Sequence, residues 1–156
     1  MSWYFAYGSN MDAARLFDDR LAPEGVPAGD RIAGRLDGWR LAFNKRARVP
    51  AGSGVGNIVP VATEDSAVFG TLNWLPEAGF AVLDRYEGVA AGHYERRTVA
   101  VARLDNGETV QAIAYIALLT GENLRPTRAY LAHLLAGRDL LPAGYVRRLA
   151  ATETFD

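Results

Sequence analysis

The chain has 156 residues, with 17 lysines and arginines against 18 aspartates and glutamates, so its formal net charge is −1. This balance argues against nucleic acid or an anionic membrane as the partner, and favours a small neutral or zwitterionic molecule. There is no cysteine, which excludes disulfides, thiolate metal ligands and a cysteine nucleophile.

The length suits one domain with its own core, so we predict a single domain over residues 1–156. The N-terminal residues Met1-Ser2-Trp3-Tyr4 are not a basic segment leading into a signal-like apolar core. No uninterrupted apolar run approaches the roughly 20 residues that a membrane helix requires. We therefore expect a cytoplasmic protein that does not span a membrane.

The first clear structural pattern is an aromatic segment followed by a glycine and polar residues. Trp3 to Tyr7 is typical of a buried strand. Gly8 permits a tight turn, and Ser9 and Asp12 have the spacing of a capping box that would begin a helix. Because the first N–H groups of a helix are unpaired and partly positive, Gly8 to Met11 is a candidate anion or oxyanion site. A purely structural capped turn is the alternative.

The next part of the chain is predicted to form loops around a hairpin. Asp18 to Asp30 is rich in Pro, Gly and charge, which is typical of a surface loop. Asp37-Gly38 is a turn that closes antiparallel hairpins, so Arg31 to Leu36 and Trp39 to Phe43 are expected to pair. Lys45 to Gly56 is predicted to be the longest mobile loop, and its basic residues either are solvated or attract a substrate carboxylate.

The second half of the chain combines strands with helices. Period-two alternation predicts strands at Ala67 to Trp74 and at His93 to Val101, and Asn106-Gly107 predicts a hairpin with Thr109 to Ala117. Proline suits the first turn of a helix and glycine its end. Helices are therefore predicted from Pro76 to Gly88, from Pro126 to Gly137, and briefly after Pro142. The pattern indicates an α+β protein whose sheet can close into a barrel.

The common catalytic sets find little support in this sequence. His93 and His133 are the two histidines, and neither has a carboxylate or histidine at a metal-ligand spacing, so no metal site is predicted. There is no Gly-Xaa-Ser-Xaa-Gly elbow for a serine nucleophile. The glycines of Gly52 to Gly56 lack the spacing of a nucleotide-binding loop.

Glu87 lies at the predicted end of the helix that begins near Pro76. A glutamate is disfavoured there because the helix dipole is negative at its C-terminus. If Glu87 is also buried beside Tyr86 and Val89, desolvation would raise its pKa toward the range of a general acid/base. An exposed glutamate that pairs with an arginine is the alternative.

Taken together, these segments resemble the γ-glutamylcyclotransferase family, which includes AIG2-like proteins. Tyr7-Gly8-Ser9-Asn10-Met11 resembles the N-terminal loop of that family, and Leu83-Asp84-Arg85-Tyr86-Glu87-Gly88-Val89 resembles its catalytic-glutamate segment. Further matching pieces follow in family order: Gly34-Arg35-Leu36, Asn57-Ile58-Val59-Pro60, Val68-Phe69-Gly70, Gly92-His93-Tyr94 and Ala114-Tyr115. The likeness covers nearly the whole chain.

The resemblance implies a small mixed β-barrel, mainly antiparallel, with peripheral helices. It implies an amide-cleaving, cyclising lyase or acyltransferase that converts a γ-glutamyl amino acid or γ-glutamyl amine to 5-oxoproline and a free amine, without a cofactor. Glu87 would be the general acid/base. The substrate would be bound by Tyr7, Gly8, Ser9, Asn10, Met11, Tyr94 and Tyr115. Tyr94 and Tyr115 are equally well explained as packing aromatics.

The identity of the leaving amine stays open at this point. Ser9-Asn10 favours γ-glutamyl amino acids over the γ-glutamylamine branch, whose loop tends toward Tyr-Gly-Thr-Leu, and the glutathione-specific branch also departs from Ser-Asn. A non-catalytic small-molecule binding protein of the same fold is the alternative from another class. Retention of Glu87 argues against it, because a carboxylate binder would gain from losing that negative charge. The fold is compatible with a homodimer.

Overall fold

The fold is described from a computed structural model covering residues 1–63 and 65–156. The described residues form seven strands: β1 (Ser2–Ala6), β2 (Arg31–Asp37), β3 (Trp39–Arg46), β4 (Gly54–Pro60), β5 (Ala67–Leu75), β6 (Tyr94–Arg103) and β7 (Thr109–Ala117). Five of them close into a barrel in the order β1-β5-β2-β6-β7, and β3 and β4 form a separate two-stranded sheet. This confirms the predicted α+β barrel.

The barrel is antiparallel except where it closes. β1 pairs with β5 from Ser2↔Leu75 to Ala6↔Thr71, whereas β7 meets β1 in parallel at Trp3↔Ala112 and Tyr4↔Ile113. The predicted hairpin at Asn106-Gly107 is confirmed, because β6 and β7 pair along their length. Gly107 has φ +78°, a conformation that favours glycine.

The prediction that Asp37-Gly38 closes a hairpin is wrong. Gly38 does adopt a left-handed turn, with φ +82°, but β2 pairs with β5 and β6 while β3 pairs with β4. The turn therefore passes the chain from the barrel to the two-stranded sheet. A turn dipeptide determines that the chain changes direction, whereas the pairing of the flanking strands depends on which apolar faces they can bury.

Three local predictions near the N-terminus and in the middle of the chain also need correction. Ser9–Met11 forms a 3₁₀ turn without a side-chain cap, and the capping residue is Asp12, whose Oδ1 accepts from the N–H groups of Ala14 and Arg15 at 3.2 and 3.4 Å. The predicted loop from Asp18 contains the second half of a π-helix, Ala14–Leu21, and a 3₁₀ turn, Ala22–Glu24. The predicted loop Lys45 to Gly56 is shorter, since β3 and β4 extend into both of its ends.

In the described part of the chain, three α-helices pack outside the barrel: α1 (Glu77–Tyr86), α2 (Arg128–Leu135) and α3 (Ala143–Ala150). Each begins just after a predicted start, and Thr127 caps α2 by accepting from the N–H of Tyr130 at 3.1 Å. Gly88, with φ +63°, follows α1 and turns the chain away. Among the residues described here, no helix is long and apolar enough to cross a membrane.

The core has two parts, which lie on opposite faces of the strands. Phe5, Val68 and Val101 belong to a cluster whose buried members all come from strands or the residues beside them, and this cluster fills the barrel. Tyr4 belongs to the second cluster, which also contains buried apolar residues of the helices such as Phe80 and Leu134. Because side chains alternate along a strand, neighbouring residues such as Tyr4 and Phe5 serve different layers.

Candidate active site

A cavity of about 170 Å³ lies on the outer side of the barrel, between β1, β6 and β7 and the surrounding helical segments. Most of the predicted site residues line it, namely Tyr7, Gly8, Ser9, Asn10, Glu87, Tyr94 and Tyr115. These residues come from four separate parts of the chain. The structure therefore places these segments, which are distant in the sequence, around one cavity.

Met11 is the predicted site residue that lies away from the cavity wall. Its side chain is fully buried in the helix-facing core. Its N–H donates to the carbonyl of Gly8 at 3.0 Å, and its own carbonyl accepts from Nη2 of Arg31 at 3.0 Å. Met11 thus fixes the N-terminal loop against the helix-facing core.

Glu87 directly follows α1 and is partly buried in the cavity wall. Its N–H donates to the carbonyl of Leu83 at 2.8 Å, which continues the helical hydrogen bonding and fixes the backbone. Within residues 1–63 and 65–156, its carboxylate forms no ion pair or side-chain hydrogen bond. The alternative of a surface glutamate paired with an arginine is therefore wrong.

The electrostatic environment of Glu87 suits proton transfer. Desolvation raises the pKa of Glu87 from 4.5 to about 7, and the nearby positive charges of Arg20 and Arg15 offset only part of this effect. A carboxyl group with a pKa near neutrality exists in both protonation states under ordinary conditions, as a general acid/base requires.

The tyrosines of the wall are held by specific hydrogen bonds. The hydroxyl of Tyr94 donates to the carbonyl of Gly56 at 2.7 Å, and the hydroxyl of Tyr130 accepts from the N–H of Gly56 at 2.8 Å. The hydroxyl of Tyr7 donates to the carbonyl of Tyr115. Burial raises the pKa of Tyr7, Tyr94 and Tyr115 above the ordinary value, so their hydroxyl groups stay neutral. Their rings form fixed parts of the cavity wall.

The N-terminal loop approaches the opposite wall closely, and glycines lie at the points of contact. A Cβ atom at Gly8 would lie 3.0 Å from the hydroxyl oxygen of Tyr130, and one at Gly56 would lie 2.9 Å from the same oxygen. Real Cβ atoms rarely approach other heavy atoms so closely. The two glycines therefore let the loop, β4 and α2 meet around one hydroxyl group.

Sequence reasoning missed several residues of the wall, namely Tyr4, Arg15, Arg20, Gly56, Tyr86 and Tyr130. The two arginines were missed because residues five apart do not share a face of an α-helix. Arg15 and Arg20 lie in the π-helix Ala14–Leu21, whose hydrogen bonds join residues five apart. No signal in the sequence indicated this wider helix.

The chain matches a model of the AIG2-like family over residues 67–149, which is more than half of its length. No curated protein matches it at a significant level. Several solved structures are similar in fold.

The crystal structure of an uncharacterized human protein is 25% identical, with a TM-score of 0.84, and the match covers 99% of this chain and 89% of that chain. A γ-glutamyl cyclotransferase is 24% identical, also with a TM-score of 0.84 and the same coverage of both chains. A yeast γ-glutamyl cyclotransferase specific to glutathione is 13% identical, with a TM-score of 0.65, and the match covers 95% of this chain and 93% of that one. The chain belongs to the AIG2-like family and shares the fold of the γ-glutamyl cyclotransferases.

Proposed function

We propose that this protein is a γ-glutamylcyclotransferase-type enzyme, which converts a γ-glutamyl amino acid or γ-glutamyl amine to 5-oxoproline and a free amine. Glu87 acts as the general acid/base. The observation that carries this proposal is the placement of the Glu87 carboxylate in a cavity that also contains the loop Gly8 to Asn10, with no ion pair among the described residues. Burial there raises the pKa of Glu87 to about 7.

The reaction requires one proton to move between two nitrogen atoms of the substrate. The α-amino group in its neutral form attacks the γ-carbonyl carbon, and the carboxylate of Glu87 accepts the proton that this nitrogen loses as the new bond forms. Glu87 returns the proton to the nitrogen of the scissile amide as its bond to that carbon breaks. One carbon–nitrogen bond forms, another breaks, and the carboxyl group of Glu87 ends in its starting state.

The remaining residues of the cavity have to hold the substrate in a folded conformation. Attack within one molecule to form a five-membered ring gains the large entropic advantage of a well-oriented intramolecular reaction. In this proposal, backbone N–H groups of the loop Gly8 to Asn10, which lines the cavity, stabilise negative charge on the substrate or the tetrahedral intermediate. The fixed tyrosine rings limit the volume in which the substrate can move.

The test is 5-oxoproline release from γ-glutamyl-alanine, a γ-glutamyl alkylamine, ε-(γ-glutamyl)-lysine and glutathione. Release from one of them supports the reaction class, and the preferred compound identifies the leaving amine. Glu87→Gln keeps the shape of the side chain and removes the base, so we expect kcat to fall by roughly 100- to 10,000-fold.

The exposed Glu122 provides the matched control, and Glu122→Gln is expected to retain wild-type turnover. Full activity in Glu87→Gln would disprove the proposed role of Glu87. Binding of the compounds by wild-type protein without any release would instead indicate the non-catalytic alternative.

A further inference from the structure

Two arginines in the cavity wall differ from the other partly buried arginines in their partners. Arg31, Arg96 and Arg103 each pair with an aspartate, at 2.7, 2.7 and 2.8 Å. In the part of the chain that the structure describes, Arg15 and Arg20 pair with no carboxylate. A guanidinium that lines a cavity without an anionic partner is a site for an anion from outside the chain.

Side chains other than carboxylates hold both of these guanidinium groups in place. Nη1 of Arg20 donates to the amide oxygen of Asn10 at 2.9 Å, and the guanidinium carbon lies 4.5 Å from the centre of the Tyr86 ring. Nη1 of Arg15 lies 3.3 Å from Nε2 of His133. The Nε atom of Arg15 is buried without a hydrogen-bond partner in the described residues.

His133 is itself oriented by Asp12, whose Oδ2 lies 2.8 Å from Nδ1 of the imidazole. A carboxylate can only accept, so Nδ1 of His133 donates. In the neutral imidazole, Nε2 is then the acceptor for the N–H of Arg15. Asp12 and His133 are not part of the cavity wall. They fix the guanidinium of Arg15 through hydrogen bonds on the side away from the cavity.

The charges of the cavity favour an anionic ligand. Burial and the positive charge of Arg20 both lower the pKa of Arg15, which shows that the two guanidinium groups disfavour each other. Glu87, the acidic side chain of the cavity wall, is only partly ionised near neutral pH because its pKa is about 7. A bound carboxylate would relieve the repulsion between the arginines.

We propose that Arg15, with Arg20 beside it, binds a carboxylate of the substrate, and that Asp12 and His133 are positioning residues for Arg15. The inference rests on the proposed function for the identity of the substrate. The bound group is a carboxylate of the glutamyl moiety or of the leaving amino acid, and the two sources are separable by experiment.

The first experiment measures binding by calorimetry in Glu87→Gln protein, which should not consume its ligands. The ligands are γ-glutamyl-alanine, its two derivatives with one or the other carboxylate converted to an amide, and glutarate as a simple dicarboxylate. Arg15→Gln is expected to weaken binding of γ-glutamyl-alanine roughly 10- to 100-fold, the size expected for losing a charge-assisted bidentate contact. The amide derivative whose affinity no longer depends on Arg15 identifies which carboxylate is bound.

The matched control is Arg40→Gln, which makes the same change at an exposed position of β3 and is expected to leave all affinities unchanged. Equal affinities in the presence and absence of Arg15, or no binding of any carboxylate ligand, would overturn the inference. If wild-type protein releases no 5-oxoproline but glutarate binds in an Arg15-dependent way, the proposed function fails and the carboxylate site stands. If turnover occurs with a KM that does not depend on Arg15, the proposed function stands and the carboxylate site fails.

The second experiment tests the positioning role of His133 with two variants. His133→Leu removes both hydrogen bonds, and we expect KM to rise roughly tenfold with kcat nearly unchanged, as for loss of one hydrogen bond to a charged group. His133→Gln keeps one amide that can donate to Asp12 and accept from Arg15, and is expected to restore most of the affinity. Equal KM values for both variants, or a lower melting temperature without a change in KM, would contradict the positioning role.

Discussion

The inner and outer faces of β1 and β7 show how one barrel serves stability and a candidate site at once. On the inner face, Phe5 and Ala114 are fully buried among apolar side chains. On the outer face, the rings of Tyr4 and Tyr115 lie 5.9 Å apart and line the cavity. Adjacent residues of the same strand therefore lie in two different environments.

The difference between the faces is mainly one of polar groups. The inner-face side chains Phe5 and Ala114 are apolar, and they contribute through burial and close packing. On the outer face, the hydroxyl of Tyr115 donates to Oδ1 of Asp84 at 2.8 Å, and that of Tyr4 accepts from Nδ2 of Asn10 at 3.0 Å. Substitutions on the inner face should therefore act through lost packing, whereas those on the cavity side should act through lost hydrogen bonds and altered charge.

The largest effect on stability is expected from Phe5→Ala. Phe5 is fully buried, so its truncation should lower the free energy of unfolding by about 3–5 kcal/mol through lost burial and a residual cavity. Denaturant titration measures this. Phe155→Ala, at a side chain that is 46% exposed, is the control and should cost far less. Equal losses in the two variants would show that the barrel interior is not the main apolar core.

The opposite sign is expected for Glu87→Gln, because burial makes the ionised form of Glu87 unfavourable. The pKa is about 7 in the folded protein against an ordinary 4.5, so the folded state binds the proton more tightly. The contribution of Glu87 to stability is present below pH 4.5 and is lost as the pH rises to about 7.

Glutamine does not titrate, so Glu87→Gln should be more stable than wild type by about 1–3 kcal/mol at pH 8 and about equally stable at pH 4. Denaturant titration at both pH values measures this, with Glu122→Gln as the exposed control. Lower stability of Glu87→Gln at pH 8 would mean that the carboxylate has a favourable partner in the folded protein.

A smaller effect is expected when a neighbouring charge of Glu87 is removed. Arg20 lowers the pKa of Glu87, so Arg20→Gln should raise that pKa further. If Glu87 is the base, kcat/KM of wild type should fall below about pH 7, and the fall should begin at a higher pH in Arg20→Gln. A shift to lower pH would contradict this electrostatic coupling.

The smallest effect is expected from Tyr115→Phe, which removes one hydroxyl group and keeps the ring. The lost hydrogen bond to Asp84 should cost about 1 kcal/mol of unfolding free energy. That hydrogen bond also helps Arg96 to keep the pKa of Asp84 below its ordinary value, so the NMR titration of Asp84 should move to higher pH. A large loss of turnover with unchanged stability would instead indicate that the hydroxyl contacts the substrate.

Much of the barrel was predictable because its signals are local. Alternating apolar residues predicted most of β5, β6 and β7, Asn106-Gly107 predicted a true hairpin, and prolines marked the starts of α1, α2 and α3. The failure at Asp37-Gly38 arose because strand pairing joins distant residues. The parallel closure of β1 on β7 is equally non-local, and no pattern within either strand predicts it.

The candidate site likewise has some features that were predictable from local sequence and others that depend on distant residues. Its loop, Gly8 to Asn10, and Glu87 were predicted from two local patterns, a glycine turn before a helix start and an acidic residue at a helix end. The resemblance of both segments to one family gave them their predicted roles. The contacts that give them chemical character depend on the tertiary structure. Desolvation of Glu87 and the alignment of Asp12, His133 and Arg15 arise only when the π-helix, α1 and α2 pack around the outer face of the barrel. Burial and charge are properties of the surroundings of a residue, so they become defined only once distant segments meet.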